Sequence, residues 1–248
     1  STVDVAGGFG AIRLGRDYTP SFWNHTVYDP FGTLGSGAGS NITLAPGQAN
    51  ALTAARTNNG VSYLYNFAAN GASAVGQQGV TAQVTYALAE NVSTAVANGK
   101  YVGARLGYNA GPLTLALATA KSNAATGTVE YKETNIGGSY DLGVAKLMAQ
   151  SNTTKITGAA DIKGRVIGAL VPMAGGTFRV SQAQTDQAGK IAKQTSVGFV
   201  NPLSKRTDLY ATYARVSNSG GSAVALNGAS TAANASSTGY EFGVKHAF

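Results

Sequence analysis

The sequence predicts an all-β chain of antiparallel strands, and three observations carry the prediction. Apolar and polar side chains alternate with period two over stretches of roughly ten residues. The apolar share is 44% against a charged share of 12%, low for a soluble domain. Short turns alternate with long loops rich in Gly, Ser, Asn, Thr and Ala. Strands of this length, with one apolar face and one polar or small face, are the pattern of a transmembrane β-barrel.

Val80 to Leu88 is the clearest strand: Val80, Ala82, Val84, Tyr86 and Leu88 share one face, and Thr81, Gln83, Thr85 and Ala87 the other. Val61 to Phe67 and Leu113 to Ala118 read the same way, as does Tyr240 to Phe248. Thirteen strands are expected in all, over 1–7, 10–17, 60–67, 79–90, 100–109, 112–121, 128–141, 143–152, 160–172, 176–186, 192–201, 207–217 and 237–248. Short turns fall at Gly7-Gly8-Phe9, Ala110-Gly111, Leu142 and Ala174-Gly175. Long connections fall at 18–59, 91–99, 122–127, 153–159 and 218–236; 68–78 is long for its class and 187–191 short. A soluble sandwich or solenoid is the competing architecture. Aromatics near strand ends (Tyr63, Phe67, Tyr86, Tyr108, Tyr140, Phe199) and the strand length favour the membrane reading.

Composition excludes several functions. The chain has no Cys and two distant histidines, His25 and His246, so no metal cluster or cofactor is expected. The net charge of +7 is carried by scattered residues, with Lys205-Arg206 the one adjacent basic pair, so a nucleic-acid partner is not expected. The spacing around Gly8 does not form a phosphate-binding loop, and no Ser/His/Asp or paired-carboxylate set points to an enzyme. Asn24-His25-Thr26 and Asn41-Ile42-Thr43 match glycosylation acceptors at chance level. Glu130, Lys132 and Glu133 read as charges at a strand end. No run of apolar residues is long enough for a transmembrane helix, and the opening Ser1-Thr2-Val3-Asp4 is not a signal peptide.

At the two ends the residues become specific. Gly239 to Phe248, after Asn201-Pro202 to Tyr213, resembles the last two strands of trimeric Gram-negative general porins, above all the betaproteobacterial branch. Gly8 to Asp17 followed by Tyr28 to Gly32 resembles the strand that enters the pore loop, and Ala55 to Tyr63 the return from it. The resemblance covers the whole chain and implies one porin barrel domain over 1–248, with a pore-constricting loop over 18–59. It implies an outer-membrane homotrimer, embedded in lipid and assembled by the barrel-assembly machinery, for which Tyr240, Phe242 and Phe248 form the terminal signal. The family has sixteen strands, so about three at the N-terminal side have no counterpart here, and the chain reads as a fragment or a truncated product.

A general porin offers a water-filled hole, and the charges lining its narrowest part set its preference for small hydrophilic solutes and inorganic ions. The resemblance assigns Arg16 and Arg56 to the basic wall cluster, with Asp29 and Tyr28 as loop-side counterparts. Strand parity alone turns Arg13, Arg105 and Arg179 away from apolar neighbours, because a charge on the lipid face at mid-membrane costs about 2–4 kcal/mol. A solvated rim position is the alternative for these three. Arg16 shares the parity of Leu14 and needs a bulge or strand end to face the lumen. A basic wall against a loop with one carboxylate leads to an expected weak anion preference. The alternatives are a pore-less surface adhesin and a solute-specific channel.

Overall fold

The computed structural model describes residues 1–33, 35–44, 55–73, 76–89, 100–123, 129–226 and 229–247. It contains thirteen strands: β1 Thr2–Gly7, β2 Gly10–Tyr18, β3 Arg56–Asn66, β4 Gly79–Ala87, β5 Tyr101–Ala110, β6 Leu113–Asn123 and β7 Glu130–Asp141, then β8 Lys146–Ile156, β9 Ile162–Met173, β10 Gly176–Gln187, β11 Lys190–Pro202, β12 Thr207–Ser219 and β13 Ser236–His246. Each strand bonds to its neighbours in sequence, in the order β1 to β13. Two short helices, α1 Pro20–Val27 and α2 Ser40–Thr43, lie in the connection between β2 and β3.

Burial in these strands is the reverse of that in a soluble sheet. On β4, Val84 is 50% exposed while its neighbour Thr85 is 1% exposed. Ser62, Thr81, Gln83, Asn135, Gln150 and Gln194 are buried, whereas Val61, Leu106, Leu117, Ile136 and Leu147 are exposed. Water would make that arrangement costly on both faces. Hydrocarbon outside and polar surroundings inside make it favourable, as the alternation requires. No helix among the described residues is long and apolar enough to cross a membrane, which says nothing about crossing by strands.

Strand boundaries differ from expectation where backbone geometry intervenes. β3 starts at Arg56 rather than near 60, because a bulge absorbs the irregularity: Gly15 pairs with Gly60 but Asp17 with Thr57. Asn59, at φ 47°, sits in that bulge. β11 starts at Lys190 because Ala188 (φ 52°) and Gly189 (φ 84°) close a two-residue hairpin turn with both φ positive. β8 runs on to Ile156 and β4 stops at Ala87.

The chain packs as two compact units, Ser1–His25, Leu44–Gly138 and Asn152–Asp161 in the first, Thr26–Thr43, Ser139–Ser151 and Ile162–Phe248 in the second. In the first, the buried faces of β5, β6 and β7 receive most of α1. In the second, Ile42 of α2 joins an apolar cluster with Val166, Ala183, Ala192, Ala214 and Val216. Small side chains on these strands leave room for the inserted segment.

Candidate functional site

The described residues of the connection between β2 and β3 are docked on the strands rather than hanging free. Thr19 caps α1: its hydroxyl accepts from the Phe22 amide at 3.2 Å, and its carbonyl from the Trp23 amide at 3.2 Å. Pro20 occupies the first helical position, where a missing N–H costs nothing. These signals start a helix inside the connection expected to be loop.

The buried side of α1 then meets a polar network. Asn24 Oδ1 accepts from Arg105 Nε at 2.7 Å, and its amide donates to Asn135 Oδ1 at 2.8 Å and to the Ala116 carbonyl at 3.4 Å. Asn135 donates to the Ser21 carbonyl at 3.0 Å and to Glu133 Oε1 at 2.8 Å. His25 Nε2 stands 2.6 Å from the same Glu133 oxygen, both residues at most 2% exposed. The Ser21 hydroxyl lies 3.4 Å from that of Tyr101. Buried polar groups that are mutually satisfied specify one arrangement, so this network fixes where α1 sits on β5–β7.

Arg105 therefore faces inward, as its parity required, but it is only 7% exposed and donates to Asn24 of the inserted segment. Glu133 is not the strand-end charge it looked like: it shares the buried parity of Tyr131 and Asn135, opposite Lys132 and Thr134.

Arg13 pairs across the sheet with Asp4. Its guanidinium reaches both Asp4 oxygens at 2.8–3.1 Å and Asp17 Oδ2 at 2.6 Å. Two carboxylates thus offset its charge. Arg16 does not join it. The extra residue of the bulge lies in β3, so β2 keeps its alternation and Arg16 stays on the exposed parity of Ile12 and Leu14. Arg56 sits at the root of the connection, its guanidinium 4.4 Å above the Tyr18 ring and donating to a Tyr18 hydroxyl at 2.8 Å.

In the second unit, Asp29 organises the loop. Its Oδ1 accepts from the Phe31 amide at 2.9 Å and its Oδ2 from the Gly39 amide at 2.7 Å. The expected counter-charge of a pore ring is thus a buried brace for the chain around Pro30. Tyr28 is buried at 1% exposure and presents no open surface. Gln194 holds the same segment by donating to the Ser36 and Ala38 carbonyls, both at 3.1 Å, while Glu241 accepts from the Ser36 amide at 2.7 Å.

Gly39 is needed for this fit: a β-carbon there would meet Val166 Cγ2 at 2.8 Å and Ala183 Cβ at 3.0 Å. Arg179 lies on the parity of Ser181 and Ala183, half-buried, in the field of Asp208 and Asp29. Its Nε has no hydrogen-bond partner among the described residues. It lines a cavity of about 570 Å³ with Phe31, Gly35, Asp208, Tyr210 and Glu241.

Tyr240 and Phe242 are exposed on the outward parity of β13, and Tyr240 packs on Tyr213 with ring centroids 5.2 Å apart. Phe248 lies outside the described residues. Among the described residues no group of three His, Cys, Asp or Glu side chains is placed to hold a metal ion.

Long strands with an apolar outer face, a polar inner face and a long segment docked on the inner face define an outer-membrane β-barrel channel. The chain belongs to the Gram-negative porin family, whose model matches residues 1–221. It is therefore an outer-membrane diffusion porin. The chain is 34% identical to outer membrane porin protein 32 of Delftia acidovorans, over all of this chain and 73% of that protein. It superposes on the anion-selective porin from Comamonas acidovorans with a TM-score of 0.85 at 31% identity, covering all of this chain and 77% of the other. The outer membrane protein OmpT of Vibrio cholerae, at 14% identity and a TM-score of 0.68 over 99% of this chain and 78% of the other, shares the fold.

Proposed function

We propose that this porin prefers anions weakly, that segment 18–59 narrows its aqueous route, and that inward arginines supply the field. The observation that carries the proposal is parity. Arg13, Arg105 and Arg179 share the strand faces of Ser62, Thr81, Gln83, Ser181 and Gln194, and not those of Val84, Leu106 and Ile167. Of the other carboxylates, Asp29 is bonded to two amides and Glu133 to His25 and Asn135, while Asp208 stands in the field of Arg179. Positive charge at half-buried positions is screened less than at a rim and raises the local anion concentration.

Arg13 contributes little, being held between Asp4 and Asp17, and Arg16 lies outside the set. Arg56 acts at the entrance to the segment, and Arg179 at the cavity beside Phe31 and Gly35. The name of the relative with a TM-score of 0.85 agrees with this charge preference. Small hydrophilic solutes and inorganic anions are the cargo, and a homotrimer is the assembly. Tyr240, Phe242 and Phe248 serve as the recognition signal for the barrel-assembly machinery.

The test is a reversal potential across a planar bilayer under a salt gradient. Anion preference is the expected sign; cation preference overturns the proposal.

A further inference from the structure

The inward wall of the second unit carries a pocket whose charges cancel. Strand pairing places Arg179 of β10, Gly198 of β11, Thr212 of β12 and Glu241 of β13 in one row. The next row toward the turn 203–206 holds Val200, Tyr210 and Gly243, and the last sets Asp208 directly opposite Lys245. This stretch of wall, with Phe31 and Gly35 of the inserted segment, lines the cavity of about 570 Å³. In barrels of this type the short turns are periplasmic, so the cavity lies on the periplasmic side of the pore.

Two glycines clear the space. A β-carbon on Gly198 would meet Phe31 Cε1 at 2.8 Å, and one on Gly243 would run into the Tyr210 ring. Both rings therefore lie against bare backbone and leave the volume in front of them open.

The charged groups around that volume are not paired with one another. Among the described residues Arg179, Asp208 and Lys245 form no ion pair, although Arg179 stands in the field of Asp208 and Lys245 faces Asp208 across the sheet. The buried Arg179 Nε has no hydrogen-bond partner there either. Glu241 is held by the Ser36 amide at 2.7 Å and stands beside the Tyr210 hydroxyl.

Arg179 and Lys245 against Asp208 and Glu241 sum to zero, which disfavours a simple ion. An anion beside Arg179 meets the fields of Asp208 and Asp29, and a cation beside Asp208 meets those of Arg179 and Lys245. A solute that carries both charges gains at each end.

We propose that this pocket binds the zwitterion of an apolar α-amino acid. Its carboxylate accepts from the Arg179 guanidinium, its ammonium donates to Asp208, and its side chain rests on Val200 and the Tyr210 ring. Charge-assisted bonds at both ends fill a gap that the two protein side chains leave open. The site goes beyond the ion preference proposed above, because a solute without net charge neither needs nor reveals that preference.

The test reads block of single-channel current by L-leucine, with the full chain in a planar bilayer at about pH 6, where L-leucine carries both charges. A saturating block is expected. Asp208→Asn should weaken it about tenfold, and so should Arg179→Gln. L-Leucinamide, which keeps only the ammonium, should block the unaltered channel at least about tenfold more weakly than L-leucine. N-acetyl-L-leucine, which keeps only the carboxylate, should lose no potency in Asp208→Asn. Heat-modifiable gel mobility checks folding, and if one variant does not fold the other carries the comparison. No block by L-leucine, block that survives loss of either charge, equal potency of L-leucinamide, or an equal loss of N-acetyl-L-leucine block in Asp208→Asn overturns the proposal. A reversal potential of cationic sign with L-leucine block intact would overturn the ion preference alone.

Discussion

Replacing Asn24 by Ala should release α1 from the strands without unfolding them. Asn24 is fully buried and its side chain bonds Arg105, Asn135 and the Ala116 carbonyl. A bond to a charged group contributes about 1.5–3 kcal/mol, and stranding a buried partner adds about 1–3 kcal/mol, so a loss near 3 kcal/mol is expected. At 1.4 kcal/mol per decade, the undocked population of α1 rises about 100-fold. Hydrogen exchange of the amides in residues 20–27 should accelerate by that factor, with β5–β7 unchanged. Ser21→Ala, which loses only long 3.4 Å hydroxyl contacts to Tyr101 and Thr19, should accelerate exchange far less. Trp23, the one tryptophan in the chain, stands edge-on to Tyr18 at 5.1 Å and gives an independent optical signal through acrylamide quenching. Unchanged exchange in Asn24→Ala, or acceleration spread evenly over the barrel strands, would refute the docking argument.

Three further outcomes are expected. Arg56→Glu reverses the charge stacked on Tyr18 and should move the reversal potential toward cations; no movement removes Arg56 from the conducting path. Gly39→Val drives methyl groups into Val166 and Ala183 and should cost about 1–3 kcal/mol, visible as added noise and larger excursions in single-channel records. Val84→Arg puts a charge on the hydrocarbon face at mid-strand and should lower unfolding stability by about 2–4 kcal/mol in denaturant titrations. Full stability in that variant would mean that Val84 faces water.

The strands were legible because the two faces of each meet different surroundings, so period two is written along their whole length. The number of strands, the short turns and the inward parity of Arg105 and Arg179 follow from it. What the pattern lacked was any record of which distant residues meet. His25 and Glu133 are 108 positions apart, and only the shared parity of Tyr131, Glu133 and Asn135 hinted that Glu133 turns inward.

Helix α1 was hidden by its length, although Thr19-Pro20 carries a start signal. Asp29 looked like a free loop charge because sequence shows a carboxylate but not the amides it satisfies, here those of Phe31 and Gly39. For Arg16 a bulge was the condition. The bulge formed, but in the partner strand, which left Arg16 facing outward.

Spin labels placed singly from Val80 to Ala87 on β4 address the central claim most directly. Labels at Val80, Ala82, Val84 and Tyr86 should be quenched by oxygen, and those at Thr81, Gln83, Thr85 and Ala87 should be shielded from it, with any relaxation there coming from a water-soluble nickel chelate. Equal oxygen accessibility at successive positions would contradict a wall with lipid on one side and an aqueous interior on the other.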